Sequence, residues 1–308
     1  MALNLYNIRK WYRMLSGKSV MHVNQGLGKT FSATDIKGYY NDLTEKVTML
    51  PELLDNELLP LYVTPSGKKV TFPVDVFQYG LGAYDLFIMT KENRYREKVR
   101  QCCQWSTRHQ EDSGAWSNFF FKYPENPYGA MAQGEAASLL LRGYKEFGDK
   151  SYLMAAKKAI DFMLLPLDSS GTTLYETDGD ILLCEYTHLP IVLNGWIFAL
   201  WGLYDYTFFT DDYKYKDILR RTETALEKRL DMFNSHHWSM YDMSGKMTSP
   251  FYHRLHIAQM QAMYQLTGKE VYDHYAQLWT ARINNPVWKG MAFARKVWQK
   301  INEKEVWA

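Results

Sequence analysis

The sequence predicts an all-α protein, an (α/α) barrel or toroid of about four helical hairpins preceded by a short irregular arm with a small β-hairpin, and three observations predict it. Four apolar helical stretches start near Gln78, Gln133, Asn194 and Gln259, and each gives way after a polar turn to an amphipathic one. These anchors lie 55, 61 and 65 residues apart, the length of a helical hairpin plus a loop. In every unit the first helix is the more apolar and the second the more charged, which places the first inside a ring and the second outside. The loops that enter the inner helices of such a ring open on one face, so the segments before the four anchors are where chemistry is expected.

Taken in order, residues 1–71 read as an arm packing on the main domain. It begins with the cluster Arg9, Lys10, Trp11, Tyr12 and Arg13, read as a solvated helix, with a peripheral membrane contact as the alternative. A turn-rich run at Asn24, Gly26 and Gly28 follows, then Tyr39, Tyr40 and Asn41. In LPLYVTPSGKKVTFPVDV, Pro65, Ser66 and Gly67 form the turn of a hairpin. Residues 72–308 form the toroid: QYGLGAYDLFIMTKENRYREKVRQCCQWS, QGEAASLLLRGYKEFGDKSYLMAAKKAIDFM, NGWIFALWGLYDYTFFTDDYKYKDILRRTETALEKRL and QMQAMYQLTGKEVYDHYAQLWTARI are its four units. A basic C-terminal segment carrying Trp298 and Trp307 offers a contact surface.

Composition narrows the function. A formal net charge of +2 excludes a general nucleic-acid binder, and 16% aromatic residues without charge excess suggest a cleft that stacks on sugars. Cys102, Cys103 and Cys184 are odd in number, with two adjacent, so no disulfide framework is expected and a reducing compartment is the simpler reading. Charges interrupt every apolar run of the N-terminus and no window approaches a membrane span, which predicts a cytoplasmic protein without integral membrane association.

Three loops hold the chemistry. In the loop before Gln133, Trp116 and Tyr128 offer stacking surface beside the Gln133 amide, although Trp116 and Phe119 to Phe121 serve equally as a cap on the ring. The loop before Asn194 places Glu185, Tyr186 and His188 together. The loop before Gln259 gathers Tyr241, Tyr252, His253, Arg254 and His256, a set suited to binding a carboxylate. His253 and His256 have ligand-like spacing, but no carboxylate spacing completes a metal site, so neither metal nor cofactor is expected. Gln78, Tyr79 and Asn194, at the starts of two inner helices, complete the expected substrate contacts. The sequence has no Cys-His nucleophile pattern, phosphate-binding glycine loop or nucleophile elbow. Phenols beside a carboxylate and a cationic pocket suit removal of a carbon-bound proton next to a carboxylate.

The segments PVDVFQYGL, NPYGAMAQGE, CEYTHLPIVLNGWIFALWGLYDY, MYDM and PFYHRLHIAQMQ resemble, in the same order, the C-terminal catalytic domain of D-glucuronyl C5-epimerases. The resemblance implies an (α/α) barrel that converts glucuronate to iduronate within heparosan-type acidic polysaccharides without a cofactor, and a homodimer. It makes Glu185 and Tyr186 the catalytic pair and Tyr241 and Tyr252 two further active-site tyrosines, with Tyr252 facing Glu185 or Tyr186 across the sugar. Two departures stand out. The β-rich domain that animal members insert after the segment matching QYGL is absent, and their YDLR arginine is replaced by Ser244, a gap that Lys246 or Arg254 is placed to fill. The rivals are a uronate lyase on the same fold, a carbohydrate-binding protein without catalysis, and a glycoside hydrolase using Glu185 with Asp242, Glu135 or Asp112.

Overall fold

Each of the four inner helices ends on a residue in the left-handed region, and that shared ending produces the hairpin repeat. In the computed structural model, which describes residues 23–49, 54, 59–63 and 67–302, helices α2 (Pro73–Thr90), α4 (Ala130–Phe147), α6 (Leu193–Thr210) and α8 (Pro250–Thr267) stop at Lys91, Gly148, Asp211 and Gly268, with φ of 61°, 71°, 56° and 68°. Such a cap turns the chain sharply. The partner helices α3 (Asn93–His109), α5 (Lys150–Met163), α7 (Tyr213–Arg229) and α9 (Glu270–Asn284) start almost at once, α5 and α7 under the side-chain caps of Asp149 and Asp212. The short α1 (Thr44–Thr48) precedes them and α10 (Pro286–Asn302) follows. The chain is all-α in the main, an (α/α) toroid of helical hairpins.

Two helices begin earlier than the anchors imply. Proline occupies the first turn of α2 and of α8, where its missing N–H costs nothing, and Ser249 caps α8 by accepting from the Tyr252 amide at 3.4 Å. Gln259 is therefore in the middle of a helix, and Tyr252, His253, Arg254 and His256 sit on its first two turns instead of in a loop.

The inner helices pack in sequence order. Cβ atoms added at Gly80, Gly134 and Gly202 would meet Leu139 Cδ1 at 2.8 Å, Ala199 Cα at 2.7 Å and Gly134 Cα at 2.3 Å, so α4 and α6 touch backbone to backbone. Gly202→Ala is therefore expected to destabilise the fold by about 2–3 kcal/mol in a denaturant titration. Gly26→Ala, whose Cβ meets nothing within 4 Å, is the near-neutral control.

The described part of the arm enters the ring at the C-terminal ends of the inner helices. Tyr39 stacks on Phe198 at 6.4 Å and meets Trp201 edge-on, while the Tyr40 hydroxyl donates to Asp205 at 2.6 Å. Arg142 and Asp205 form a fully buried ion pair at 2.5 Å, and Arg142 also donates to the carbonyls of Lys37 and Gly38, tying α4, α6 and the arm together. Strands β1 (Tyr62–Val63) and β2 (Lys69–Val70) pair antiparallel; Pro65 and Ser66 of their turn, the cluster Arg9 to Arg13, and Trp307 lie outside the described residues. All three cysteines are buried and free, and no helix among the described residues is long and apolar enough to cross a membrane.

Candidate active site

A second hairpin, which the sequence reading missed, delivers Glu185. Strands β3 (Thr173–Tyr175) and β4 (Ile181–Leu183) pair antiparallel around a turn at Gly179, whose φ is 92°. The Asp178-Gly179 pair between Leu174-Tyr175 and the apolar run Ile181 to Cys184 carries this signal in the sequence. Arg229 and Lys228 of α7 hold the turn through Asp180 at 2.5 and 2.7 Å. Glu176, Asp178 and Asp180 are the carboxylates grouped closely enough for a metal among the described residues, but two of the three are already matched by these cations, Glu176 pairing with Arg229.

Beyond β4, the Cys184 carbonyl accepts from the Ala130 amide at 2.8 Å, which fixes Glu185 against two helix starts. A Cβ at Gly129 would meet the Glu185 carbonyl at 2.1 Å, and one at Gly195 would meet Glu185 Oε2 at 2.2 Å. Both glycines are needed so that the carboxyl can lie on the first turn of α6. Gly195→Ala is expected to displace it and lower turnover about 10²-fold while leaving the thermal midpoint within a few degrees, read by kinetics and calorimetry on one preparation.

Tyr241 reaches the same place from another segment. Its carbonyl accepts from the Leu193 amide at 3.1 Å, while Met243 N–H donates to Ile191 O at 3.0 Å. The buried Asp242 closes the turn beneath by accepting from the Ser244 amide and hydroxyl at 2.9 and 2.6 Å. Tyr252, third residue of α8, meets the Tyr241 ring at 5.1 Å and 69°. Tyr186 stacks on Phe119 at 4.6 Å and meets Tyr123 edge-on at 5.8 Å. Glu185, Tyr186, Tyr241 and Tyr252 thus converge from three separate segments, the carboxyl buried and the three rings part-exposed.

Their electrostatics follow from burial. Desolvation pushes Glu185 up to about 7, offset by a hydrogen bond from Tyr186 and the charge of Lys122. Burial also raises Tyr186, Tyr241 and Tyr252, and the Glu185 charge adds to each. A hydrogen bond between Tyr241 and Tyr186 raises the first and lowers the second.

Several expected contacts lie elsewhere. His253 and His256 are fully buried on the side of α8 that faces Trp238 and the outer helix α9; His253 stacks on Trp238 at 3.7 Å, donates from Nε2 to the Trp279 carbonyl at 3.1 Å and accepts at Nδ1 from the Ser239 amide. Burial pushes both down to about 3, so they are neutral framework residues and supply no cationic pocket. Arg254 is exposed two residues beyond Tyr252, hence on the other side of the helix. Trp116 is buried, donates to Ser106 O, and has its backbone N–H and carbonyl paired by the Gln133 amide at 3.1 Å each, so both residues brace the ring instead of facing a ligand. Tyr79 is buried and accepts from Lys98 at 2.7 Å, toward the outer helix. Asn194, by contrast, stays at the site, next to Gly195 in the first turn of α6, buried with its side-chain oxygen unpartnered and its backbone carbonyl accepting from Gln259. The Tyr128 hydroxyl donates to Glu111 at 2.6 Å, and Lys246 is exposed with its ammonium 3.9 Å from Asp242. Gln78 is buried and donates to Glu135 at 2.8 Å.

The structure supplies groups that residue type alone did not single out. Lys122 stands on the rim with its ammonium 4.9 Å from the Tyr123 ring centre, next to the ring that touches Tyr186. Lys46, from α1, is buried 3.5 Å from Asp75. Glu135, by residue type a candidate hydrolase carboxylate, is fully buried in α4.

Residues 110–281 match the family described as the D-glucuronyl C5-epimerase C-terminus. The chain is 32% identical over 128 residues to a D-glucuronyl C5-epimerase of Caenorhabditis elegans, covering 38% of this chain and 21% of that one. It is 31% identical over 160 residues to an uncharacterized protein of Methanocaldococcus jannaschii, covering 49% of this chain and 51% of that one. The chain therefore spans about half the length of one curated relative and about a fifth of the other. The cellobiose 2-epimerase of Spirochaeta thermophila superposes with a TM-score of 0.50 at 11% identity over 92% of this chain and 86% of that one, a likeness of fold alone.

Proposed function

The chain belongs to the family of the D-glucuronyl C5-epimerase C-terminus, and from that premise we propose that it inverts C5 of glucuronate residues within an acidic, heparosan-like polysaccharide by proton removal on one face and return on the other. The observation that carries this is the meeting of Glu185, Tyr186, Tyr241 and Tyr252 at the start of α6.

Hydrogen at C5 is acidic because the neighbouring carboxylate accepts the electron pair, giving an enediolate. Glu185, poised at about 7, takes the proton; the Tyr252 hydroxyl, kept protonated by burial, gives its own to the opposite face of C5. The electron pair returns from the carboxylate oxygens to C5, and Tyr252 later recovers a proton from Glu185 through solvent. Tyr241 donates to Tyr186 and Tyr186 to Glu185, a relay that orients the base toward C5.

Since His253, His256 and Arg254 do not face this place, Lys122 is the cation that receives the uronate carboxylate. Lys122→Met is expected to raise KM about 10-fold or more and to change kcat less, read on polymer of uniform length. The reaction itself is tested by proton NMR of heparosan incubated with the protein in deuterated water. Deuterium entering C5 without chain cleavage supports epimerisation; an unsaturated uronate end supports a lyase.

A further inference from the structure

Glu135 has no task in the reaction above, yet it is buried within reach of the charge of the proposed base. It lies in the second turn of α4 with no exposed surface. Its Oε1 accepts from Gln78 Nε2 at 2.8 Å, and its Oε2 has no hydrogen-bond partner. An ionised carboxylate buried with one oxygen unpaired is costly, and a proton removes most of that cost. Because the Gln78 amide donates, it selects the unprotonated oxygen and leaves the proton on Oε2. The charged and titratable groups around Glu135 are Lys46 from α1, Asp75 from α2, Tyr39 of the arm and Glu185 from the loop before α6. Lys46 is already matched by Asp75 at 3.5 Å, so it does not supply Glu135 with a whole counter-charge. Glu185 likewise has an unpartnered buried Oε2.

We propose that Glu135 and Glu185 form a carboxyl pair carrying one negative charge, with Glu135 as the proton-holding member, a positioning residue that leaves the charge on Glu185 facing the sugar. This rests on the reading of Glu185 as the base. Two carboxyls in one water-poor interior do not both ionise at neutral pH. Burial raises both carboxyls, and Glu135, with no exposed surface where Glu185 keeps a little, is raised further by the Glu185 charge, so Glu185 gives up its proton first. Once Glu135 ionises as well, its charge opposes the enediolate, and turnover declines on the alkaline side.

The test is a carboxyl carbon NMR titration of protein labelled at glutamate, in wild type, Glu135→Gln and Glu185→Gln, with C5 exchange measured beside it. Wild type is expected to show two glutamates titrating above about pH 6, where ordinary ones have finished. Glu135→Gln keeps the Gln78 bond, removes the upper step, retains neutral exchange within about threefold and abolishes the alkaline decline. Glu185→Gln removes the lower step and moves the remaining one down. Titration of Glu135 in the ordinary range, an unchanged upper step in Glu185→Gln, or an alkaline decline that persists in Glu135→Gln overturns the pair. Should Glu135→Gln fail to fold, the step in Glu185→Gln decides alone. Wild type without C5 exchange withdraws the epimerase reading, while the titration still decides the pair.

Discussion

Glu185→Gln is expected to lower C5 exchange from a glucuronate polymer by about 10²–10⁴-fold at neutral pH, the contribution of a positioned general base. The amide fills the same space against Gly195, so the fold survives and the loss is chemical. The pH profile supplies the control. Glu185 must be ionised to act, and burial sets it at about 7, so wild-type kcat rises as pH climbs through that value and falls away below it. The variant lacks that limb. The same raised carboxyl works against stability: its folded value lies above the unfolded 4.5, so its neutral form favours the fold and stability declines as pH rises from about 4.5 to about 7. Glu185→Gln is therefore expected to be no less stable than wild type above neutrality, which a thermal melt at two pH values reads.

Tyr252→Phe gives a different loss. Abstraction by Glu185 is intact, but no hydroxyl stands on the other face to complete inversion, so the enediolate is reprotonated from the side of Glu185. Inversion is expected to fall by about 10²–10⁴-fold while solvent deuterium, absent from unconverted glucuronate in wild type, appears in the starting epimer. The phenyl ring keeps its packing on Tyr241 and Phe251, at 5.1 and 5.0 Å, so misplacement of the helix does not imitate the result. Equal loss of exchange and inversion would assign abstraction to Tyr252 itself.

The hairpins were legible because apolar period and helix breaks are local. Lys91, Gly148, Asp211 and Gly268 each end an inner helix within a few residues of where the charge pattern changes. The four converging residues were legible in part: Glu185, Tyr186, Tyr241 and Tyr252 are chemistry-bearing types at loop and helix starts, and the resemblance selected them. Facing was not legible. Read as loop, PFYHRLHIAQM places two histidines at the mouth, whereas helix from Pro250 onward turns both away from it, against Trp238 and against Trp279 of the outer helix α9. Gln133 and Trp116 pair across 17 residues, and Gln78 and Glu135 across 57, so what each amide contacts depends on which helices become neighbours. Glu135, within AMAQGEAAS, looks like a polar interruption of an apolar helix until Gln78 and Glu185 are brought to it.

Wild-type protein turned over in deuterated water under initial-rate conditions, with C5 followed by proton NMR in substrate and product separately, tests the two-faced proton transfer most directly. Newly formed epimer should carry solvent deuterium at C5 while unconverted glucuronate keeps its proton, because the group that returns hydrogen is not the one that removed it. Product that keeps the substrate's own proton, or deuterium entering both epimers at the same rate, would contradict opposed roles for Glu185 and Tyr252.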